Sequence, residues 1–242
     1  MSYSTIYLSI FGIFCCIASF SSRAFDVVIT ESEFNQLHRS CQLFYGSSVI
    51  GRSLGYADKF SATEKKQAFI DAEKVGGAWH YCAGLVILKR AQQTLDERKK
   101  AALYKKALNE ISFTARKVPQ HNPFYGEIKL NLARAQFSVG SFDKSSATLK
   151  TLLKELPSYL PAYIELARQH DKKGKTQEAI AILNSADEKH KQTSADLNYF
   201  IGIYYFKTND YEKAKQHAKV AYARGYPLPG LRRMLKEKGH QI

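Results

Sequence analysis

The chain of 242 residues carries a formal net charge of +14 at pH 7, and 45% of its residues are hydrophobic. A charge this positive raises nucleic acid as a partner, but the lysines are scattered without a dense basic block, which argues against that class. The positive balance instead fits an acidic partner, such as anionic lipid headgroups, acidic envelope polymers or an acidic protein segment. Peripheral contact with a membrane surface is therefore compatible with the composition.

The N-terminus has the pattern of an export signal. Residues 6–20 form an uncharged, mostly apolar run that is too short for a comfortable membrane span. Ser22 and Ala24 place small residues three and one before a cleavage site, so the mature chain would begin at Phe25. Because no Lys or Arg precedes the apolar run, a retained anchor and a buried N-terminal helix remain as alternatives. We predict a cleaved signal peptide at residues 1–24 and a periplasmic or secreted protein.

The four cysteines fall into two groups. Cys15 and Cys16 lie in the predicted signal peptide, where a cysteine is compatible with a lipoprotein. Phe14 argues against a lipoprotein, because its processing usually requires a small residue at that position. Removal of the signal leaves Cys41 and Cys82, and an oxidising compartment favours a disulfide between them. The alternative is a pair of buried free thiols that act as small hydrophobic groups.

Two capping boxes predict helix starts ahead of the first hairpin. Thr30 with Glu33 and Ser61 with Glu64 have the required spacing, in which a hydroxyl and a carboxylate satisfy N–H groups at the start of a helix. The first box is followed by an apolar stripe with helical spacing. Its members are Phe34, Leu37, Cys41, Phe44 and Tyr45.

Glycines are expected to divide this lead-in segment, residues 25–77. A break is predicted near Gly46 or Gly55, and the helix that follows the second capping box is predicted to continue to Gly76 and Gly77. The segment is therefore predicted to form two or three helices that cover the first hairpin, either as a cap or as a diverged repeat.

The segment from Ala78 to Pro119 has the pattern of a helical hairpin, whose two helices we call helix A and helix B. Helix A carries Gly84 at a point of close helix packing and is predicted to extend through Gln92. A charged turn is predicted at residues 96–100. Helix B follows and ends before the proline, which cannot continue a helix.

Three residues of this helix A invite a functional interpretation. Trp79 lies on an apolar face and is interpreted as a core residue. His80 and Cys82 would need further ligands to hold a metal ion, and none stands at zinc spacing, so we predict no metal and no cofactor. Beyond the hairpin, Asn122 is predicted to cap the next helix, with Pro123 at its first position.

A hairpin pattern with a period of about 34 residues then recurs up to Pro227. Close helix crossings require a residue with almost no side chain in each helix. These residues are Ala133, Ala167 and Gly202 in the A helices, and Ser145, Ala179 and Ala214 in the B helices. Gly140 and Gly174 lie at turns, where a left-handed residue costs Gly nothing, and Pro157 follows a helix B. The alternative is an ordinary helical bundle with chance placements of Gly and Ala.

This pattern resembles that of tetratricopeptide-repeat (TPR) proteins of the exported bacterial type, over residues 78–227. The resemblance implies an all-α fold, a right-handed superhelix of about four stacked helix-turn-helix hairpins. Residues 25–77 would cover its N-terminal end. Residues 228–242 would form a C-terminal capping helix with Leu228, Leu231, Met234 and Leu235 on its inner face. In this family the concave face, built mainly from A helices, holds an extended or helical peptide.

Four positions of each helix A are then expected to point into the concave face. The predicted groove residues are Tyr81, Leu85, Leu130, Asn131, Arg134, Phe137, Arg168, Tyr199 and Phe206. Arg134 and Arg168 share the ninth position of adjacent repeats. We therefore predict two guanidinium groups in the middle of an apolar and aromatic groove, where they would grip a carboxylate or phosphate. The alternative is that these side chains pack against a neighbouring repeat or the lead-in helices.

No catalytic motif is recognisable in the chain: HExxH, GxSxG and a phosphate-binding loop are all missing from the sequence. We therefore predict a non-enzymatic interaction scaffold of the bacterial cell envelope that binds a peptide or protein and has no catalytic residues. Two alternatives stay open. One is an obligate structural subunit of an envelope assembly without an exchangeable ligand, and the other is an enzyme with an unrecognised site.

Overall fold

A computed structural model describes residues 27–242, together with their side chains except those of Phe69, Ala72 and Glu73. The predicted signal peptide lies outside the described residues. Within them the chain is helical and contains no β-strand. The helices pack in adjacent pairs along the chain, which confirms the predicted all-α solenoid of helical hairpins.

The lead-in consists of short helices. They are α1 (Glu31–Asn35), α2 (Arg39–Gly46), α3 (Val49–Ser53), a 3-10 turn (Tyr56–Lys59) and α4 (Ala62–Val75). Both predicted capping boxes form: the Glu33 carboxylate accepts from the backbone N–H of Thr30 at 2.7 Å, and that of Glu64 from Ser61 at 2.9 Å. The apolar stripe after the first box is divided between α1 and α2, because the chain leaves the helix after Asn35 and restarts at Arg39.

Four hairpins follow the lead-in. Hairpin 1 is α5 (Ala78–Gln93) with α6 (Glu97–Ala115), and hairpin 2 is α7 (Tyr125–Ser138) with α8 (Phe142–Glu155). Hairpin 3 is α9 (Leu160–Lys172) with α10 (Thr176–Asn184). A short helix, α11 (Glu188–Thr193), then precedes hairpin 4, α12 (Ala195–Lys207) with α13 (Tyr211–Ala223). The last helix is α14 (Gly230–Glu237).

The small residues lie where the helices cross closely, as predicted. A Cβ placed on Gly84 would lie 2.6 Å from Cγ1 of Ile111 in the facing helix, and one on Gly202 would lie 2.6 Å from Cδ2 of Leu231. Ser145 and the four alanines at these crossings have no exposed surface. The alanines are Ala133, Ala167, Ala179 and Ala214. A larger side chain at these positions would hold the helices apart.

The turns within hairpins 2, 3 and 4 share one backbone conformation. Gly140 and Gly174 have φ values of +81° and +77°, in the left-handed region. In hairpin 4 the same place is taken by Asn209, with φ of +62°. Asn tolerates this conformation better than most residues that carry a Cβ.

Three local predictions are wrong. Residues 97–100 do not form a charged turn but the first turn of α6, where the Asp96 side chain accepts from the backbone N–H of Lys99 at 2.9 Å. Asn122 does not cap α7 directly, because its side chain accepts from Phe124 N, one residue before the helix begins. On the last helix, Leu228 is 57% exposed, since α14 begins only at Gly230.

A disulfide joins Cys41 of α2 to Cys82 of α5, with their Cα atoms 5.3 Å apart. It ties the lead-in to helix A of hairpin 1. Arg90 adds a second link, because its guanidinium pairs with Glu33 at 2.6 Å. The hydrogen bonds from Arg90 lower the pKa of the Glu33 carboxyl group to about 2, although burial acts in the opposite direction.

The apolar interior of the described chain continues from the lead-in to α14 in neighbouring clusters. The first spans the lead-in and hairpins 1 and 2, the second joins hairpins 3 and 4, and the last lies between hairpin 4 and α14. From residue 27 to residue 242, no helix combines the length and apolar character that crossing a membrane requires.

Candidate functional site

An open cleft of about 720 Å³ lies along the A helices of hairpins 1 to 3, that is, along α5, α7 and α9. Its apolar wall consists of Leu85, Leu88, Tyr104 and Phe137. Its polar lining consists of Lys89, Gln92, Asn131, Arg134, Ser138, Glu165, Arg168 and Lys172. Five of the nine predicted groove residues therefore meet in one place. They are Leu85, Asn131, Arg134, Phe137 and Arg168.

The two predicted arginines are held by a carboxylate that belongs to the chain itself. Nε of Arg134 and Nε of Arg168 each donate to Oε2 of Glu165 at 3.1 Å. Nη2 of Arg168 also donates to Oε1 of the same carboxylate. Glu165 is 2% exposed, so it can organise the arginines but cannot reach a ligand.

Sequence reasoning missed Glu165, although a signal for it was present. Glu165 occupies the sixth position of its helix A, and Asn131 occupies the same position one repeat earlier. A charged residue in the otherwise apolar inner stripe of a helix requires a partner when it is buried. The repeat alignment alone could therefore have indicated that the ninth-position arginines have an internal counter-ion.

Glu165 stays ionised despite its burial. Burial by itself raises the pKa of this carboxyl group, but hydrogen bonds and the charge of Arg168, with help from Gln169 and Arg134, outweigh it. The pKa therefore lies below its ordinary value. Gln169 donates to Oε1 of Glu165 at 2.7 Å, and Ser145 donates to Gln169 Oε1 at 2.7 Å. The carboxylate is thus fixed from both hairpins 2 and 3.

A second set of hydrogen bonds leads from the arginines toward hairpin 1. Nη1 of Arg134 donates to Oδ1 of Asn131 at 3.2 Å, and Nδ2 of Asn131 donates to the hydroxyl of Tyr81 at 2.7 Å. The Tyr81 hydroxyl donates to Oε1 of Glu127 at 2.6 Å. Burial, with Glu127 nearby, raises the pKa of Tyr81 far above its usual range, so this hydroxyl stays protonated. A connected set of hydrogen bonds therefore runs beneath the cleft from hairpin 3 to hairpin 1.

Both guanidinium groups keep donors for a ligand. Among the described residues, Nη2 of Arg134 and Nη1 of Arg168 have no hydrogen-bond acceptor. The side chains of Arg134 and Arg168 are 45% and 34% exposed. With Lys89 and Lys172, the cleft presents four cationic groups against the single carboxylate of Glu165. Its net charge is clearly positive.

The other predicted groove residues are not on the open surface of this cleft. Tyr81 and Leu130 are each 4% exposed and belong to the core. Tyr199 is stacked under Tyr226, with ring centroids 3.8 Å apart, and its surface is covered by the C-terminal segment. Phe206 is half-buried against Tyr211. The predicted aromatic end of the groove at hairpin 4 is thus filled by the chain itself where Tyr199 lies.

The arrangement offers binding groups rather than a reactive pair. Within the described part of the chain, no group of three His, Cys, Asp or Glu side chains is placed to hold a metal ion. The cleft contains one carboxylate, and that group is buried and engaged by two arginines. What the cleft can do chemically is to receive an anionic group beside an apolar one.

The chain has matches among solved structures. No family model matches the chain, and a search of curated proteins found no match. Among solved structures, the chain is similar to YrrB, a TPR protein with an unusual peptide-binding site. The TM-score is 0.49 and the sequence identity 16%, over 82% of this chain and 88% of that one.

Proposed function

We propose that the protein is a non-enzymatic interaction scaffold that binds a peptide or protein segment in the cleft along α5, α7 and α9. The observation that carries this proposal is the pair Arg134 and Arg168. Their side chains are pre-arranged by a buried carboxylate and retain outward donors next to an apolar wall. Because Glu165 already fixes both side chains, a ligand would not have to order them, which lowers the entropic cost of binding.

The chemistry of the cleft favours an acidic partner segment. A carboxylate side chain would meet the unengaged donors of Arg134 and Arg168 through charge-assisted hydrogen bonds. An apolar or aromatic side chain next to it would pack against Leu85 and Phe137. The excess of basic groups in the cleft would also speed the encounter with an acidic chain at low ionic strength.

We place this scaffold in the bacterial cell envelope, with the mature chain beginning at Phe25. The apolar run at residues 6–20 and the small residues before Phe25 support export. The Cys41–Cys82 disulfide supports an oxidising compartment. Expression of the full chain in a bacterial host, followed by cell fractionation and N-terminal sequencing, would test both points. A chain that stays in the cytoplasm with residues 1–24 attached would contradict them.

The test of function begins with crosslinking in the native envelope to identify a partner. The affinity of that partner for defined variants of the protein is then measured. The double variant Arg134→Gln/Arg168→Gln removes both cations without adding a charge near Glu165. We expect it to weaken binding at least about tenfold, because hydrogen bonds to charged groups contribute about 1.5–3 kcal/mol each.

The matched control is Arg98→Gln/Arg116→Gln, which removes one exposed arginine of α6 and one that directly follows its end. Both double variants have the same net charge, so a general electrostatic effect would weaken binding equally in the two. Circular dichroism would verify that each is folded. Equal affinity of the cleft variant and the wild-type protein would overturn the proposal.

A further inference from the structure

A second cleft lies at hairpin 4 and shares no lining residue with the one described above. It has a volume of about 460 Å³ and lies between the short helix α11 and helix α13. Its existence depends on a break in the chain after α10. Asp187 caps α11 by accepting from the backbone N–H of His190, and no residue of α11 is buried. Since α11 does not pack into the core, a gap remains beside α13.

His217 presents a defined acceptor to this cleft. Nδ2 of Asn198 donates to the backbone carbonyls of Lys191 and Ser194, which fixes the orientation of its amide group. Oδ1 of Asn198 then faces Nδ1 of His217 at 2.8 Å, so Nδ1 must carry the proton. Nε2 is left with its lone pair, and within the described residues it has neither a hydrogen-bond partner nor full burial.

Burial and one neighbouring charge favour the neutral form of the His217 imidazole. Burial, and then the positive charge of Lys191 on α11, lower its pKa below the ordinary value of a histidine. Tyr205 of α12 stacks on the ring, with centroids 5.7 Å apart. The remaining charged groups of the cleft are Glu188, which pairs with Lys191 at 2.9 Å, and Arg224, which directly follows α13.

Arg224 is the second binding group of the cleft, beside the acceptor of His217. Its side chain makes no hydrogen bond or ion pair with the described residues, while Lys191 is already paired with Glu188. Arg224 follows His217 by seven positions, two helical turns or about 10 Å along α13. Val220, between them on the same face, gives the cleft an apolar floor.

We propose that the α11–α13 cleft is a second binding site, which takes an extended acidic segment of a partner chain. A backbone N–H of the segment donates to Nε2 of His217, and a carboxylate about three residues further on pairs with Arg224. The spacing agrees because an extended chain rises about 3.3 Å per residue. A small side chain between the two anchors packs on Val220.

The test uses the capped peptide acetyl-Ala-Val-Ala-Glu-amide as a probe, with NMR detection of the His217 imidazole and of the α13 amides. We expect saturable shifts at His217 and Val220 in the wild-type protein. Arg224→Gln should raise the dissociation constant about tenfold, and the glutamine analogue of the probe should bind as weakly to the wild-type protein. A probe methylated at its backbone nitrogens should lose the shift at His217, because it has no donor.

Two controls separate this site from its surroundings. Lys219→Gln removes an exposed cation of α13 outside the cleft and should leave the affinity unchanged. Arg134→Gln/Arg168→Gln changes the concave cleft and no residue of the α11–α13 cleft, so the folded variant should also leave these shifts unchanged. The proposal is overturned if the glutamine analogue binds equally well, if Arg224→Gln has no effect, or if no shift appears at His217.

Discussion

Arg134 and Arg168, on the A helices of adjacent hairpins, donate to the same oxygen of Glu165 at 3.1 Å each. The pair therefore acts as one doubly cationic group whose position is set by a buried carboxylate. This arrangement fixes the spacing of the two helices and the direction of both side chains. It predicts that one acidic residue supports both the stability of the stack and the geometry of the cleft.

The first prediction concerns the charge of Glu165. Glu165→Gln should lower the free energy of unfolding by about 2 kcal/mol at pH 7, because both arginines lose a charged acceptor. The pKa of Glu165 is lower in the folded protein than its ordinary value of 4.5. Its contribution is therefore present above about pH 4.5 and is lost as the pH falls through the lowered value.

Urea unfolding of both proteins between pH 7 and pH 3 measures this effect. The difference between wild type and Glu165→Gln should shrink toward acid. The control is Glu237→Gln, an exposed carboxylate of α14, which should change stability by less than about 0.5 kcal/mol. A difference that stays constant with pH would show that the effect is steric and not electrostatic.

The second prediction concerns the close crossing in hairpin 1. Gly84→Ala should destabilise the protein by about 1–3 kcal/mol, because the new Cβ would meet Ile111 Cγ1 at 2.6 Å and the Ile111 backbone nitrogen at 3.2 Å. Gly126→Ala is the matched helical control. Its Cβ would meet only the ends of Leu156 and Tyr159 at 3.3 Å, and the better helix propensity of Ala offsets the contact. Thermal unfolding should therefore rank the Gly84 variant well below the Gly126 variant.

The third prediction concerns the left-handed residue in hairpin 4. Asn209→Ala should cost about 1 kcal/mol more than Asn209→Gly, because φ is +62° there and Ala adopts that conformation poorly. Both variants lose the hydrogen bond from the Tyr211 hydroxyl to Asn209, so their difference isolates the backbone term. Gly140→Ala should show a similar cost, since nothing lies within 4 Å of its new Cβ. Equal stability of the two Asn209 variants would refute the conformational explanation.

The fourth prediction concerns the disulfide. Replacement of both Cys41 and Cys82 by Ala should lower the free energy of unfolding by about 2–4 kcal/mol, because the cross-link restricts the unfolded chain over a separation of 41 residues. Urea unfolding with and without reductant measures the loss. Reductant should destabilise the wild-type protein but leave the double variant unaffected. Mass spectrometry of the protein alkylated without reduction should find neither Cys41 nor Cys82 alkylated, and alkylation of both would contradict the prediction.

The hairpins could be predicted because their signals are local. The left-handed turn at Gly140 and the capping box at Thr30 each depend on residues a few positions apart, and the chain satisfies them without reference to distant contacts. The small residues repeat with the hairpin period, so their pattern is visible even though the crossings they permit are tertiary. The prediction of a charged turn at residues 96–100 is wrong because a run of charge is compatible with both a turn and an exposed helical turn.

The sequence by itself thus determined that this chain forms stacked helical hairpins with small residues where the helices cross. Only the tertiary structure decided what meets on those faces. Glu165 reaches Arg134 because α7 and α9 lie side by side, and Tyr199 is covered because the chain after α13 folds back over it. Such contacts join residues far apart in sequence. They require interatomic distances that are correct to within a few tenths of an ångström, and no local pattern encodes this.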